Sequence, residues 1–507
     1  MTTTYSPGPP TDADLVVRPR RADDLPATGP DGLRAASAKT PGGIAADERG
    51  GGLALGIGDG TPASCFTAGR KLARALADVG DIGSVTLDLA SLATETDDDR
   101  DDDVSAESGR TSVATAAAEG ASSTPPADVA TLAVALLRGL DVGRYELGLW
   151  RGERPGSRLA DLGVAVTGLD GETVGRRVLA HASALGAGQR AAMHLVDRPA
   201  NAKKPADVAA YVVELGRAHG FGVEVVDEEA LGIQGFGGVL AVGRASDHPP
   251  RLLKLHYRGE APRYRLGLVG KGVTFDTGGI SIKPSRNLGY MKSDLGGAAA
   301  VLGAFVSVAE LGLPVEVHGL LPVAENAIDG DAYLPSDVIR NYSGKTIEVT
   351  DTDAEGRLLL ADCLAYFPEW ATPDLLVDLA TLTGSAVRTF GYEAAALFTH
   401  RADVVADFAA AGRPHDERTW PLPLWAGYEA DLASDVADVK HFHGKPIAGA
   451  INAAKFLEYF VADRERWAHL DIAGVAFGAS EFSHDRAATG YGVALLTQFL
   501  LDRVDDA

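Results

Sequence analysis

Residues 351–357 read Asp-Thr-Asp-Ala-Glu-Gly-Arg. On an extended segment side chains alternate faces, so Asp353, Glu355 and Arg357 would share one side; a helix would splay them apart. Two carboxylates aimed at one point are costly without a cation. Around divalent metals they become hard oxygen ligands, and the guanidinium can hold an anion. An isolated D-x-E-x-R is also an ordinary solvated turn with surface ion pairs. A second cluster, upstream, shifts that balance.

Residues 265–283 open with an apolar run, Leu266 to Val269, that reads as a buried strand. It runs into a glycine-rich loop carrying Lys271, Asp276 and Lys283. Gly278 and Gly279 permit positive φ and close backbone approach. Asp294 follows, then Gly296-Gly297-Ala298-Ala299-Ala300, the start of a tightly packed helix. Taken singly, each charged residue fits a plain ion pair. A lysine near two dications would have its ammonium disfavoured and could ligate as the neutral amine.

Together these segments resemble the leucyl (cytosol) aminopeptidases, peptidase family M17, which are two-metal exopeptidases. "VGKGVTFDTGGISIKP" and "TDAEGRLLLAD" carry the resemblance. "LVDRPAN", "LAVGRAS", "PPRLLKLHYRG", "DLATLTGS", "WAHLDIAG" and "ATGYGV" continue it in order. It covers roughly residues 190–500 and is weak before that.

The resemblance implies two adjacent divalent ions, manganese or zinc. Lys271, Asp276, Asp294 and Glu355 would hold one. Asp276, Asp353 and Glu355 would hold the other, with the main-chain carbonyl of Asp353 as a further donor. It implies Lys283 and Arg357 as catalytic residues outside the ligand set, with a bicarbonate on Arg357 as proton shuttle. Met291 and the Thr381-Leu382-Thr383-Gly384 segment would line the substrate site. Two ions sharing a water lower its pKa and polarise a carbonyl. A charged Lys283 suits a developing oxyanion, and the planar fork of Arg357 suits a planar anion. A free α-amine on one ion would confine cleavage to the N-terminus. Peptides, preferentially with Leu-type N-termini, are the implied substrates, and a homohexamer the implied assembly. The family usually has Asn where this chain has Asp351, whose expected place is solvent or a local turn.

Stepping outward, these residues need elements to bring them together. From about residue 190, strands alternate with helices. "VEVVD", "GGVLAVG", "RLLKLHY", "RLGLVG", "VEVHGLLPV" and "LLVDLATL" read as strands. "PADVAAYVVELGRAHG", "GGAAAVLGAFVSVAELG", "RLLLADCLAYF" and "NAAKFLEYFV" read as helices. The expected fold class is α/β: a catalytic helix–sheet–helix sandwich over 189–507, with a mostly parallel sheet. Ligands in such sheets gather at the carboxyl ends of strands. A smaller N-terminal α/β (macro-like) domain is expected over 49–188, interrupted by an acidic low-complexity insertion at 94–127. Residues 1–48, rich in Pro, Gly, Asp and Arg, read as a loosely ordered tail.

The chain has 507 residues, 46% of them hydrophobic, and a formal net charge of −23. That charge repels nucleic acid and anionic membranes and argues against a DNA-binding regulatory protein. A different two-metal hydrolase, such as a phosphoesterase, is the other competing reading. Two cysteines and no apolar signal core fit a reducing cytoplasm. No stretch reads as a membrane span. His441, His443 and His469 read as packing or local hydrogen-bonding residues.

Overall fold

In the computed structural model, the described residues are 2–5, 15–20, 44–46, 53–57, 59–79, 84–93, 128–145, 147, 163–480, 483 and 485–505. The acidic insertion at 94–127 lies outside them. The chain divides into two compact units, Met1–Arg144 with Pro155–Ala182, and Tyr145–Arg154 with Ser183–Ala507.

The first unit contains a six-stranded sheet. Its strands are β1 (Thr2–Tyr5), β2 (Leu15–Arg20), β3 (Ile44–Ala46), β4 (Leu53–Gly56), β5 (Ser84–Asp88) and β6 (Gly163–Thr167). They lie in the order β1-β6-β5-β2-β4-β3. Three of them fall within 1–48, so the tail reading is corrected there. Charged and Pro-rich composition hid short strands that gain stability only by pairing with β4, β5 and β6, in parallel for β1 and β2 and antiparallel for β3. Helices Pro62–Val79 and Val129–Val142 belong to this unit, and Asp128 caps the second through Thr131 N.

The second unit is built on a nine-stranded sheet. In chain order its strands are β7 (Gly222–Val226), β8 (Arg251–Arg258), β9 (Tyr264–Gly270), β10 (Gly272–Asp276) and β11 (Val315–Asn326). After two strands of another sheet come β14 (Leu375–Ala380), β15 (Ala395–Thr399), β16 (Thr419–Pro421) and β18 (Trp467–Asp471). The order is β16-β15-β18-β14-β9-β11-β8-β7, with β10 also on β11. The central four, β11, β9, β14 and β18, are mutually parallel. A small sheet joins β12 (Val338–Arg340), β13 (Thr346–Glu348) and β17 (Val439–Lys440). A hairpin joins β19 (Phe477–Ala479) to β20 (Arg486–Ala488). The mixed α/β architecture with a mostly parallel sheet is as the sequence led one to expect.

Two readings are corrected. "GGVLAVG" is a helix, Gly237–Gly243. A short apolar run is ambiguous by periodicity. Here Asp362 accepts from Val239 N at 2.9 Å and satisfies the helix start. Residues 288–311 do form a helical stretch long and apolar enough to cross a membrane, but its window is 83% buried inside the protein. Within it, every residue from Gly296 to Val308 is buried. A helix apolar all round and packed on every side is a core helix.

Candidate metal centre

The charged residues singled out in the sequence meet at the carboxyl edge of the parallel sheet. Lys271 follows β9, Asp276 ends β10, and Thr381 follows β14. Asn326 ends β11 and Asp471 ends β18. Strand pairing, not sequence proximity, assembles the site.

Asp276, Asp353 and Glu355 place carboxylate oxygens within 4.8 Å of one another. Two lysines brace them. Lys283 Nζ lies 2.8 Å from Asp276 Oδ2 and 2.5 Å from Asp353 Oδ1. Lys271 Nζ lies 2.8 Å from Glu355 Oε1 and 2.8 Å from Asp294 Oδ2, and donates to Thr381 O at 2.9 Å. Asp294 stands behind Lys271, outside the tight trio, and also accepts from Thr381 Oγ1 at 2.9 Å. Asp276 Oδ1 is fixed by Asn326 Nδ2 at 2.7 Å and by Gly278 N at 2.8 Å. Gly278 sits at φ +88°, the left-handed backbone expected of this loop.

Crowding shows in the protonation equilibria. Burial and the Asp276 charge push Asp353 up to about 7. Burial and Glu355 raise Asp276, and burial raises Asp294 far above the carboxylate range. Burial also pushes Glu355 up, but Lys271 and Lys283 pull harder and leave it below its ordinary value. Burial pushes Lys271 down, yet Asp294, Glu355 and Asp276 outweigh it, and its ammonium is favoured. Four carboxyl groups outnumber two ammoniums, and the raised proton affinity of Asp276, Asp294 and Asp353 marks a cluster that a cation would stabilise. Their oxygens form a donor set suited to hard or borderline divalent cations, so the residues present fit a metal site.

The extended geometry imagined for 351–357 is corrected. Thr352 and Asp353 lie in a turn, and Glu355 is the N-cap of the helix Gly356–Trp370. The turn is pinned from behind: Thr352 O accepts from Tyr333 OH at 2.8 Å and from Asn326 Nδ2 at 3.1 Å. Asp353 and Glu355 therefore converge through a turn into a helix start, where a carboxylate is favoured. Arg357 is buried within the first turn of that helix. Its NH1 donates to His441 O at 2.7 Å, and its Nε has no hydrogen-bond partner among the described residues. Asp351 spends Oδ1 on Asp353 N at 3.0 Å, the local turn bond.

Lys271, Asp276, Lys283, Asp294, Asp353, Glu355 and Arg357 line one cavity of about 720 Å³, together with Asp351, Met291, Thr381, Leu382, Thr383 and Gly384. Met291 lies in a 3-10 helix, Leu288–Ser293. Thr383 caps the helix Gly384–Phe390 through Ala386 N at 3.0 Å. Asp471 anchors that turn, accepting from Thr383 Oγ1 at 2.6 Å and Leu382 N at 3.1 Å. Sequence reasoning missed Asn326, Thr352, Asp471 and His441 as supports. Asp471 and Thr352 lay within quoted stretches, and His441 was read only as a packing or local hydrogen-bonding residue, whereas Asn326 carries no local signal.

The family model described as "cytosol aminopeptidase family, catalytic domain" matches residues 190–497. A probable cytosol aminopeptidase of Chlorobium limicola is 46% identical over 316 residues, 62% of each chain. One of Syntrophotalea carbinolica is 46% identical over 318 residues, 62% of this chain and 63% of that one. The chain thus spans under two thirds of the length of these curated relatives. Among solved structures, the bottromycin maturation enzyme BotP in complex with Mn is 33% identical with a TM-score of 0.79, covering 98% of this chain and 100% of that one. A point mutant of tomato leucine aminopeptidase is 28% identical with a TM-score of 0.80, covering 99% and 96%. The cavity at the carboxyl edge of this sheet is that of a member of the cytosol aminopeptidase family, to which this chain belongs.

Proposed function

We propose that the chain is a dimetal-dependent aminopeptidase that releases N-terminal amino acids, Leu-type preferred, from peptides. The observation that carries this reading is the convergence of Asp276, Asp353 and Glu355, braced by two lysines, in one cavity. Lys271, Asp276, Asp294 and Glu355 would hold one ion, and Asp276, Asp353 and Glu355 the other. Manganese or zinc bound there would supply Lewis acidity and an acidified water.

The chain's own residues do the rest. Burial pushes the Lys283 amine down, but Asp276, Glu355 and Asp353 hold it well above its ordinary value. Its ammonium form would stabilise the oxyanion developing on the scissile carbonyl. Arg357 keeps one edge on His441 O, and its unpartnered Nε supports a role in holding a bicarbonate. Bicarbonate would supply a proton acceptor where no histidine stands at the cavity floor. Met291 and Thr381–Gly384 would contact the N-terminal side chain. A homohexamer, a cytoplasmic location and a catalytic domain beginning at 189 belong to the same proposal.

Purified protein loaded with manganese or zinc is expected to cleave leucine amides and short Leu-peptides. Failure to do so overturns the reading, and hydrolysis of a phosphate monoester alone would favour the phosphoesterase alternative. Asp276→Ala and Glu355→Ala should lose metal, whereas Lys283→Ala and Arg357→Ala should keep it and turn over slowly. Equal metal loss in both classes would refute the division of roles.

A further inference from the structure

A second group of metal-type donors lies on β8 and the first half of β11. His256 and His318 sit directly opposite each other on these antiparallel strands. Their ring centroids are 4.5 Å apart. Glu316, two residues before His318, projects from the same face. Its Oε1 lies 3.2 Å from His256 Nε2 and 4.0 Å from His318 Nε2. All three donor atoms fall within 4.8 Å of one another. Zinc bonds of about 2.0–2.1 Å at tetrahedral angles set ligand atoms about 3.3 Å apart. One side of the triangle already has that length, and small imidazole rotations close the others.

The surroundings orient the donors. Arg258 NH1 lies 2.7 Å, and Arg265 Nε 3.5 Å, from the other carboxylate oxygen, Oε2. They hold Glu316 with Oε1 turned to the histidines, as outer partners of a metal ligand do. The Trp370 ring meets His318 edge-on at 5.1 Å and walls one side. The His256 side chain is 44% exposed, which opens a path from solvent. Burial, then the neighbouring His256, hold His318 down to about 4, so its ring is neutral with a lone pair to give.

We propose that His256, Glu316 and His318 bind a borderline divalent transition ion such as zinc, with a fourth position left for water. Two imidazoles and one carboxylate favour zinc, cobalt or nickel over manganese or magnesium. The ion would clip β8 to β11. Arg258 and Arg265 oppose its charge, so this site binds more weakly than the carboxylate cage. It is also separate from that cage. Eight residues of β11 run from His318 to Asn326, about 26 Å at 3.3 Å per residue.

The test uses the full chain saturated with manganese and then equilibrated with zinc. Bound zinc is measured in wild type, His256→Ala and His318→Ala, and zinc-edge anomalous maps locate it. The wild type should carry one more zinc per chain than either variant, with an anomalous peak among the three residues. Zinc should also raise the melting temperature of wild type more than that of His256→Ala, whose substitution lies at an exposed position. Equal zinc content in all three proteins, or a peak confined to the carboxylate cage, overturns the proposal.

Discussion

Arg357 donates through NH1 to the main-chain carbonyl of His441 at 2.7 Å, and His441 ties that contact to the turn that carries Asp353. Its Nε2 lies 2.7 Å from Asp351 O, and Thr350 N donates to its Nδ1 at 3.2 Å. Burial and the Arg357 charge hold this imidazole down to about 4, so it is neutral. The neutral ring has one proton for two carbonyls, Asp351 O at 2.7 Å from Nε2 and Glu348 O at 3.1 Å from Nδ1; the shorter contact assigns it to Nε2, and Nδ1 accepts from Thr350 N. His441→Phe removes both bonds at similar volume. Its turnover on Leu-amide should fall about 10–100-fold, as for other supports of a metal site, with both metals still bound. Unchanged kcat would show that the tether does not position Arg357. Arg357→Lys should not rescue Arg357→Ala, because an ammonium lacks the planar fork.

Asn326 is fully buried and makes two contacts that matter, to Asp276 Oδ1 at 2.7 Å and to Thr352 O at 3.1 Å. One amide thus joins a proposed ligand to the turn that carries Asp353. Asn326→Ala leaves Asp276 with Gly278 N and Lys283 as its partners. Metal affinity, read by chelator competition, should drop about 10–100-fold. Asn326→Asp should be worse still, since it adds a buried like charge.

The two ends of the site were legible to different degrees. Lys271, Asp276, Lys283 and Asp294 could be read only as a set, because singly each fits a plain ion pair and it is the resemblance of their stretches that implies their roles. The contact between Asp353 and Glu355 could be read as convergence but not as geometry, because period two and a turn into a helix both bring residues 353 and 355 together. Asn326 was invisible, and His441 could be read as a hydrogen-bonding residue but not as a support of this site. Asn326 becomes a partner of Asp276 only because β10 pairs with β11. His441 reaches Asp351 only because β17 lies beside β13. The short strands within 1–48 were missed for the same reason, since their stability resides in their neighbours.

Gly356 follows Glu355 and faces Lys271. A Cβ there would lie 2.4 Å from Lys271 Cε and 2.8 Å from its Nζ. Lys271 cannot retreat easily, because its Nζ is held by Asp294, Glu355 and Thr381 O. Gly356→Ala also favours the helix by about 1 kcal/mol, so a purely local view expects stabilisation. The expected outcome is the reverse at the site: reduced metal content and loss of Leu-amide hydrolysis in a protein that still melts cooperatively. Full activity in Gly356→Ala would mean that Lys271 has another place to go.

His469 and Asp378 pair across β18 and β14, with Nδ1 2.5 Å from Oδ1, both side chains fully buried. Trp467 Nε1 donates to the other carboxylate oxygen at 2.7 Å. Burial pushes the imidazole down, but Asp378 outweighs it and raises His469 above its ordinary 6.5. A histidine raised on folding contributes stability that is full below 6.5 and is lost as pH climbs through the folded value. The melting-temperature gap between wild type and His469→Gln should therefore be wider at about pH 6 than at about pH 9. A gap that is constant or grows with pH would mean the ring is neutral throughout. Removing the other partner is the harsher change. Asp378→Ala strands two buried donors and should cost about 3–5 kcal/mol, at the level of a broken buried ion pair.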